Sequence, residues 1–455
     1  MDGQRFGRFS INLLAWSFLA MVGDGYDLAG LASAAPELAR TWHVAPKAFG
    51  PALSASLLGI LVGAPLLGYL GDRFGRRPAI VAGCLIYGLG TLATAWTMNL
   101  HQVAALRLVT GVGLGGLMPN LIALTSELAP RRVRATLIVL MFTGITIGAG
   151  IPGTVQAWLI PQYGWQAMFW IGGLGPLAVA ACLPFALPES VKFLAFRPHR
   201  RAELLATVRD LRRDLDIADD ARFLGASGPH ASGSGITQVF SGHFAWITPL
   251  LWACFASALM ANFFLNSWLP LIFETHGLTA TESGIATSCY HYGGTIGGVL
   301  VSLVLRRFGF AAIAVLFLCA SLAIAAIGAP GGSYLTTLLA VILAGFCTVG
   351  AQFGNNAAAG LLYPTAFRSR GIGWALGVGR FGSIVGPLVG GVLVGMQVPL
   401  EQLFLVAAIP MLAGLLAAIG IAALSLSRLG SLELDEIAEA ASNTPAAAPP
   451  GHSSS

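Results

Sequence analysis

Apolar runs about as long as a membrane is thick follow one another along almost the whole chain. Of the 455 residues, 56% are hydrophobic and only 10% are charged, whereas about 25% of the residues of an average soluble domain are charged. A helix that crosses a membrane needs roughly 20 consecutive apolar residues. The sequence therefore predicts an all-α membrane protein with twelve transmembrane helices, at about 10–32, 47–70, 77–97, 102–125, 136–159, 165–187, 245–271, 283–305, 310–329, 334–358, 371–395 and 401–426.

Basic residues between these predicted spans lie almost entirely on one side. Only Arg40 and Lys47 fall on the other side. Because Lys and Arg are enriched in cytoplasmic loops, this pattern predicts a multi-pass membrane protein with both termini in the cytoplasm. It also accounts for the net charge of +5 without nucleic-acid binding. The cytoplasmic set comprises Arg5, Arg8, Arg73, Arg76, Arg77, Arg131, Arg132, Arg134, the segment 192–222, Arg306, Arg307, Arg368, Arg370 and Arg428.

The chain repeats itself at a spacing of 234 residues. Arg73-Phe74-Gly75 recurs as Arg307-Phe308-Gly309, and the Arg and Pro matches argue against chance in a Gly-rich chain. Such a repeat indicates two six-helix halves related by duplication. We therefore expect an N-terminal bundle over 1–188, a cytoplasmic linker with one or two short helices over 189–244, a C-terminal bundle over 245–428 and a disordered tail over 429–455. The other matches are Pro130 with Pro364, Arg134 with Arg368, Gly111 with Gly345 and Gly116 with Gly350.

The six cysteines fall inside apolar runs and show no metal-binding spacing. They are predicted to be small buried hydrophobic side chains, neither disulfides nor metal ligands. The first apolar run contains Asp24 and Asp27 and lacks a small-residue cleavage site, so it is predicted to remain as a span. The cysteines are Cys84, Cys182, Cys254, Cys289, Cys319 and Cys347.

Two acids stand in the middle of the first predicted helix, in Asp24-Gly25-Tyr26-Asp27. A charged side chain at mid-bilayer costs roughly 2.5–3.5 kcal/mol on insertion scales. Residues three apart lie on one helix face, so both carboxyl groups can point into the same polar interior. Two carboxylates so close disfavour each other's ionisation, which suits a proton-carrying site. The alternative is that the acids only pair with basic groups and hold helices together.

The loop after the second predicted helix carries a dense run of glycines and charges, Gly68-Tyr-Leu-Gly71-Asp72-Arg73-Phe74-Gly75-Arg76-Arg77-Pro78. It resembles the loop signature of the major facilitator superfamily, which implies two pseudo-symmetric six-helix bundles. By this resemblance Asp72 docks on the start of the eleventh helix and holds the outward-facing state. In the second half, Arg306 stands where Asp72 would repeat. If the arginines only fixed topology, the glycines would have no explanation. The expected conformational latch comprises Gly68, Asp72, Arg73, Gly75, Arg76, Arg77, Glu127 and Arg134.

Further motifs resemble the aromatic acid:proton symporters within that superfamily. Members of that family carry benzoate, hydroxybenzoates, protocatechuate or related acids into bacteria with protons. Sugar porters fit less well because the seventh helix lacks paired glutamines, and drug antiporters carry their Gly-Pro motif in the fifth helix. The motifs are the first-helix acids, Arg107 with Gly111-Val-Gly113-Leu-Gly115-Gly116-Leu-Met-Pro119-Asn120, Leu187-Pro188-Glu189-Ser190, and Gly373-Trp374-Ala-Leu-Gly377-Val-Gly379-Arg380.

Arg107 and Arg380 are the basic residues well inside predicted spans, and each needs an anionic partner there. Arg380 lies near mid-helix, so we expect it to bind the substrate carboxylate through its planar fork. Arg107 either shares that task or pairs with an aspartate, and purely structural pairing is the alternative for both. His291 is either a second proton carrier or a packing residue. The remaining expected substrate contacts are Tyr26, Trp268, Asn266, Tyr292, Gln352, Asn355, Asn356 and Trp374, with Phe142, Phe263 and Phe264 as further candidates for a ring slot.

These features together predict a transporter and not an enzyme. We expect proton-coupled uptake of a small aromatic carboxylate, driven by the proton gradient, with no bound cofactor or metal and a monomeric chain. One alternative is a transporter-like chemoreceptor for the same acids, although no signalling module is recognisable after Arg428. The other is a symporter of a different organic acid or a sugar.

Overall fold

Every regular element in the described part of this computed structural model is a helix. The structure describes residues 7–130, 132–211, 240, 244–363 and 368–429. The helices are α1 Arg8–Trp42, α2 Phe49–Phe74, α3 Arg76–Thr94, α4 Leu100–Leu128, α5 Arg134–Trp158, α6 Ile160–Tyr163, α7 Gln166–Ala186, α8 Val191–Ala195, α9 Arg201–Leu211, α10 Phe244–Thr275, α11 Ala280–Ile327, α12 Tyr334–Leu362, α13 Arg368–Gly395 and α14 Leu400–Leu429, with short 3₁₀ turns at Pro46–Ala48 and Pro198–Arg200.

The predicted all-α membrane fold is confirmed. Ten helical segments of the described part are long and apolar enough to cross a membrane. The other two predicted spans lie in α1, which carries Asp24 and Asp27, and in the first part of α11. That long element breaks at Gly309, whose φ of 51° and ψ of −134° are not helical, so it consists of two helices. The glycine at the equivalent position of the first half, Gly75, also has a positive φ, of 113°.

The first helix runs further than its apolar pattern predicts. The expected end lies near residue 32, but α1 continues to Trp42 and ends at His43, which has a left-handed φ of 52°. Ala34, Ala35, Leu38 and Ala39 are good helix formers, so the helix continues beyond its apolar core. Two short helices, α8 and α9, lie in the predicted linker. The rest of that linker and the expected disordered tail fall outside the described residues.

The helices pack into two compact units. The first unit comprises Met1–Gly228, Asn266–Ser288 and Pro387–Met396. The second unit comprises Pro229–Leu265, Cys289–Gly386 and Gln397–Ser455. The first unit therefore contains one end of α10, the start of α11 and the end of α13, beside all the helices up to α9.

Glycines set the closest helix contacts, and these contacts repeat at the spacing of 234 residues. A Cβ on Gly63 would overlap the carbonyl oxygen of Val112, and a Cβ on Gly297 would overlap that of Phe346. The first pair joins α2 to α4 in the first unit, and the second joins α11 to α12 in the second unit. Helix backbones come this near only where no side chain separates them. The same spacing relates Gly148 on Val22 to Gly382 on Ala256.

The burial predicted for all six cysteines is wrong for Cys182, which is exposed on α7. Cys84, Cys254 and Cys347 are buried, and the remaining two are partly exposed. An apolar run gives the depth of a residue in a membrane but not whether it faces other helices or lipid. All six are free thiols.

We expect Gly63→Ala and Gly297→Ala each to destabilise the protein, because overpacking a close contact costs about 1–3 kcal/mol. The measurement is the unfolding temperature of the purified full chain in detergent. Gly175→Ala is the matched control, since a Cβ there meets nothing within 4 Å. Its unfolding temperature should be unchanged or higher, because Ala is the better helix former. Equal losses in all three variants would contradict the role assigned to the close contacts.

Candidate functional site

A buried ion pair joins the first and fourth helices. Nη1 of Arg107 lies 2.9 Å from Oδ2 of Asp27, and it also donates to the Asp27 carbonyl oxygen at 3.3 Å. Thr91 on α3 bridges the pair: its hydroxyl donates to the other Asp27 oxygen and accepts from Nη2 of Arg107 at 3.0 Å. Arg107 is 1% exposed and Asp27 2% exposed. The pair is thus desolvated and held by three helices.

The four residues 24 to 27 are packed against different helices of the first unit or buried within it. A Cβ on Gly25 would overlap the carbonyl oxygen of Ile145, so α5 packs directly on the backbone of α1. The Tyr26 hydroxyl donates to the Met168 carbonyl oxygen on α7 at 2.9 Å, so its polar group is engaged within the first unit. Asp27 belongs to the ion pair, and Asp24 is buried beside it on the same helix.

Two aromatic residues that were not among the predicted site residues lie beside these polar groups. The Arg107 guanidinium lies over the Phe169 ring, 5.8 Å from its centroid. The Tyr87 hydroxyl on α3 is buried, has no hydrogen-bond partner in the described part of the chain, and lies where a Cβ on Gly23 would touch it. The Tyr87 hydroxyl thus packs against α1 at Gly23, the residue before Asp24. We name Asp24, Asp27, Thr91, Arg107 and Tyr87 the acid cluster.

A second polar group lies in the second unit, on α10, α11 and α12. Asn262 donates to Gln352 at 2.9 Å and accepts from the Tyr290 hydroxyl at 2.8 Å. Gln352 was predicted as a site residue, whereas Asn262 and Tyr290 were not. Asn262 is one of several amides in apolar helices, and only the fold shows which of them meet.

Buried polar atoms without partners mark two further positions of the second unit. His291 is buried, its Nε2 has no hydrogen-bond partner among the described residues, and its ring packs edge-on to Tyr290 at 5.2 Å. Both side-chain polar atoms of Asn355 are likewise buried without a hydrogen-bond partner among the described residues. Asn356 and Tyr292, by contrast, are exposed. Leaving a buried polar group unsatisfied costs about 1–3 kcal/mol. These atoms are therefore suited to a water molecule or a polar ligand.

The other predicted contacts occupy varied environments. Arg380 is half-buried on α13, and its carbonyl oxygen accepts from the Ser383 hydroxyl at 2.7 Å. Trp374 is exposed and stacks on Trp252, with centroids 6.1 Å apart. Trp268 is fully buried in the first unit, where its indole donates to the Pro387 carbonyl oxygen at 2.9 Å. Asn266, also buried there, has an unpartnered Oδ1 in the described part of the chain.

The predicted latch residues at the start of α3 meet a carboxylate that the sequence analysis quoted only as part of a motif. Glu189 accepts from the backbone nitrogens of Arg76 and Arg77, at 2.9 and 3.2 Å. A carboxylate at a helix N-terminus satisfies free N–H groups and the helix dipole. Gly75 has a positive φ, and a Cβ there would overlap Glu189, so this position requires glycine.

Further ion pairs extend this network. Asp72 pairs with Arg76, Arg77 pairs with Glu203 on α9 at 3.1 Å, and Glu127 accepts from the Ser190 hydroxyl. Docking of Asp72 on the eleventh helix remains a prediction. Of the other predicted latch residues, Gly68 has open space around it, Arg73 donates to Tyr69 at 3.3 Å, and Arg134 donates to the Ala129 carbonyl oxygen at 3.5 Å.

A third polar cluster joins residues of the first six spans to residues of the last six, within the first unit. Glu274 at the end of α10 lies 2.8 Å from Nη1 of Arg40, and it accepts from Gln156 at 2.8 Å. Gln156 also donates to Ser283 at 3.2 Å. Next to them, Gly153 and Gly284 allow α5 and α11 to touch through their backbones. One signal in the sequence pointed to this cluster: Arg40 is one of only two basic residues on its side of the predicted spans.

Comparison with known proteins places this architecture in a family. The model of the Major Facilitator Superfamily matches residues 17–358 and 251–445. The Gallate transporter of Pseudomonas putida is 34% identical over 92% of this chain and 93% of its own. The 4-hydroxybenzoate transporter PcaK of Pseudomonas aeruginosa is 33% identical over 90% of this chain and 92% of its own.

A solved structure shares the fold. The inward open conformation of the xylose transporter XylE from E. coli superposes with a TM-score of 0.67 at 16% identity, covering 90% of this chain and 95% of that one. The chain is therefore a multi-pass membrane transporter and not an enzyme. It belongs to the major facilitator superfamily and, within it, to the aromatic acid transporters.

We expect Arg107→Gln and Asp27→Asn each to destabilise the protein strongly, because each leaves one buried group of the pair unmatched. Breaking a buried ion pair costs about 3–5 kcal/mol. The double variant should lose much less than the sum of the two single losses, since neither charge then remains. Unfolding temperatures in detergent measure all three. Additive losses would show that the two side chains are not energetically coupled.

Proposed function

We propose that the protein is a symporter that takes up a small aromatic carboxylate with protons across the bacterial inner membrane. The observation that carries the proposal is the acid cluster, in which two buried acids share a helix and one of them meets a buried arginine. The relatives named for gallate and 4-hydroxybenzoate support an aromatic acid as the substrate. The chain works by alternating access, as a monomer with both termini in the cytoplasm, and the proton gradient drives it without a cofactor.

In this proposal, Asp24 and Asp27 divide the work of proton coupling. Asp27 is assigned a structural role, because its carboxylate pairs with the Arg107 guanidinium at 2.9 Å. Asp24 lies three residues away on the same helix face, beside the Tyr87 hydroxyl. It is assigned the role of proton carrier, because two buried acids on one helix face allow one to hold the arginine while the other carries the proton. Loading and unloading of this proton shift the equilibrium between the two access states.

Substrate recognition is assigned to the second six spans. Arg380 is the proposed partner of the substrate carboxylate, since a guanidinium meets both carboxylate oxygens at once. His291 Nε2 and the Asn355 amide supply hydrogen bonds to ring hydroxyls, and their lack of partners among the described residues supports this role. Gallate and 4-hydroxybenzoate both combine a carboxylate with ring hydroxyls, which matches these two kinds of group.

We expect Asp24→Asn and Asp27→Asn each to abolish accumulation of labelled aromatic acid driven by an inward proton gradient in proteoliposomes. Asn keeps the size of Asp and cannot carry the proton. Asp24→Asn should retain exchange of labelled for unlabelled substrate, because exchange needs no net proton movement. Asp27→Asn should impair both assays, since it also breaks the pair with Arg107. Normal accumulation in both variants would refute proton coupling at the acid cluster.

We expect Arg380→Lys to bind the aromatic acid weakly and Arg380→Ala to scarcely bind it. Truncating one side of a desolvated charge pair costs roughly 2–5 kcal/mol, which is roughly a 30-fold to several-thousand-fold loss of affinity. Lys retains the charge but not the fork. Titration calorimetry with benzoate and 4-hydroxybenzoate measures the loss, and the methyl ester of the same acid is the control. Wild-type affinity in Arg380→Ala would show that the substrate carboxylate binds to a residue other than Arg380.

A further inference from the structure

A basic pocket lies between the end of α2 and the segment 193–200, which includes part of α8. It has a volume of about 380 Å³ and is lined by Arg73, Phe74, Phe193, Arg197, His199 and Arg200. All of these residues belong to the first unit. No residue of the pocket belongs to the acid cluster, and the pocket is not used in the proposed transport step.

Contacts within the pocket join its two sides. Nη2 of Arg197 donates to the Arg73 carbonyl oxygen at 3.1 Å, which ties the residues after α8 to the last turn of α2. The guanidinium groups stand over aromatic rings: Arg73 over Phe74 at 5.4 Å, and Arg197 over Phe193 at 5.3 Å. Stacking leaves the N–H groups at the edge of each guanidinium available to a ligand.

Among the described residues, only one of the three arginines of the pocket is paired with an acid. Arg200 pairs with Glu203 at 2.6 Å, and the nearby acid Asp72 pairs with Arg76. Among the described residues, Arg73 and Arg197 form no ion pair with an acidic side chain. Two guanidinium groups that line one pocket without a carboxylate are suited to an anion with several oxygens, and phosphate matches the guanidinium fork.

The surroundings favour a phosphate carried by a lipid. Phe74 in the pocket wall is 56% exposed, and Phe196, next to Arg197, is 76% exposed. Phe74 is the last residue of membrane-crossing α2, and Phe196 directly follows the short helix α8. Both lie on the side where the basic residues of the sequence accumulate. Exposed rings beside cations suit the boundary between acyl chains and headgroups. Basic pockets at such helix ends attract the anionic lipids of the cytoplasmic leaflet.

We propose that Arg73 and Arg197 bind the phosphate of an anionic phospholipid headgroup, with Phe74 and Phe196 against its acyl chains. The bound lipid would join the loop between α2 and α3 to the segment that carries α8 and α9. Inorganic phosphate shares the chemistry of the headgroup but lacks the chains. The proposal concerns a lipid site and stands whether or not the substrate is an aromatic acid.

The test uses native mass spectrometry of the full chain in detergent, titrated with phosphatidylglycerol or phosphatidylcholine. We expect the wild type to retain phosphatidylglycerol at concentrations where phosphatidylcholine does not bind. Arg73→Gln with Arg197→Gln should weaken phosphatidylglycerol binding roughly 30-fold, the effect expected of two arginines near an anionic headgroup. Arg132→Gln is the control, because Arg132 is an exposed arginine outside the pocket.

Three further outcomes decide the proposal. Equal phosphatidylglycerol affinity in the double variant and the wild type would overturn it. Binding of inorganic phosphate at millimolar concentration without any preference for phosphatidylglycerol would show a free-anion site and overturn the lipid assignment. Circular dichroism and the unfolding temperature verify folding, and Arg73→Lys with Arg197→Lys should bind phosphatidylglycerol more tightly than the Gln pair if charge is the cause.

Discussion

The cost of placing charge inside a bilayer governs this structure. In the first six spans, the ion pair of Asp27 and Arg107 reduces that cost. Neither side chain would be stable alone at that depth. Together, with Thr91 between them, they bring α1, α3 and α4 to one point and leave each formal charge with an opposite one. The pair fixes the rotation of α1, and that rotation carries Asp24 inward as well. A structural requirement thus positions the group to which we assign proton transfer.

Backbone contact between helices supplies the rest of the framework. Water is absent around membrane-crossing helices, so apolar side chains gain little by moving from lipid to a neighbouring helix, and close packing becomes the main attraction. Gly63 on Val112 and Gly25 on Ile145 show how this is achieved: the helices touch where side chains are missing. The recurrence of such contacts 234 residues later indicates that the packing, and not only the sequence motif, was duplicated.

The depth of each residue in the membrane and the chemistry of its side chain could be predicted from the sequence, but the side chains that it contacts could not. Apolar runs locate the spans, and charges within them identify Asp24, Asp27 and Arg107 as costly residues. Which face of each helix meets which neighbour depends on packing between distant segments. Thr91 and Glu274 could therefore not be predicted, although Thr91 bridges one ion pair by hydrogen bonds and Glu274 is a member of another. Adjacent Asn355 and Asn356 could not be distinguished until the rotation of α12 was known. Apolar patterning likewise could not tell the exposed Cys182 from the buried cysteines.

The strengths of the polar clusters differ in a way that suits movement. The pair of Asp27 and Arg107 is buried on both sides and lies among helices of one half, so breaking it is costly. In the cluster that joins the two halves of the sequence, the Arg40 side chain is 57% exposed while that of Glu274 is 5% exposed. An ion pair with one solvated partner is weaker than one buried on both sides, because water and salt screen the exposed charge. Gly153 and Gly284 form a contact with no interlocking side chains between them. Alternating access requires that contacts between halves break while those within a half persist, and this distribution of strengths meets that requirement.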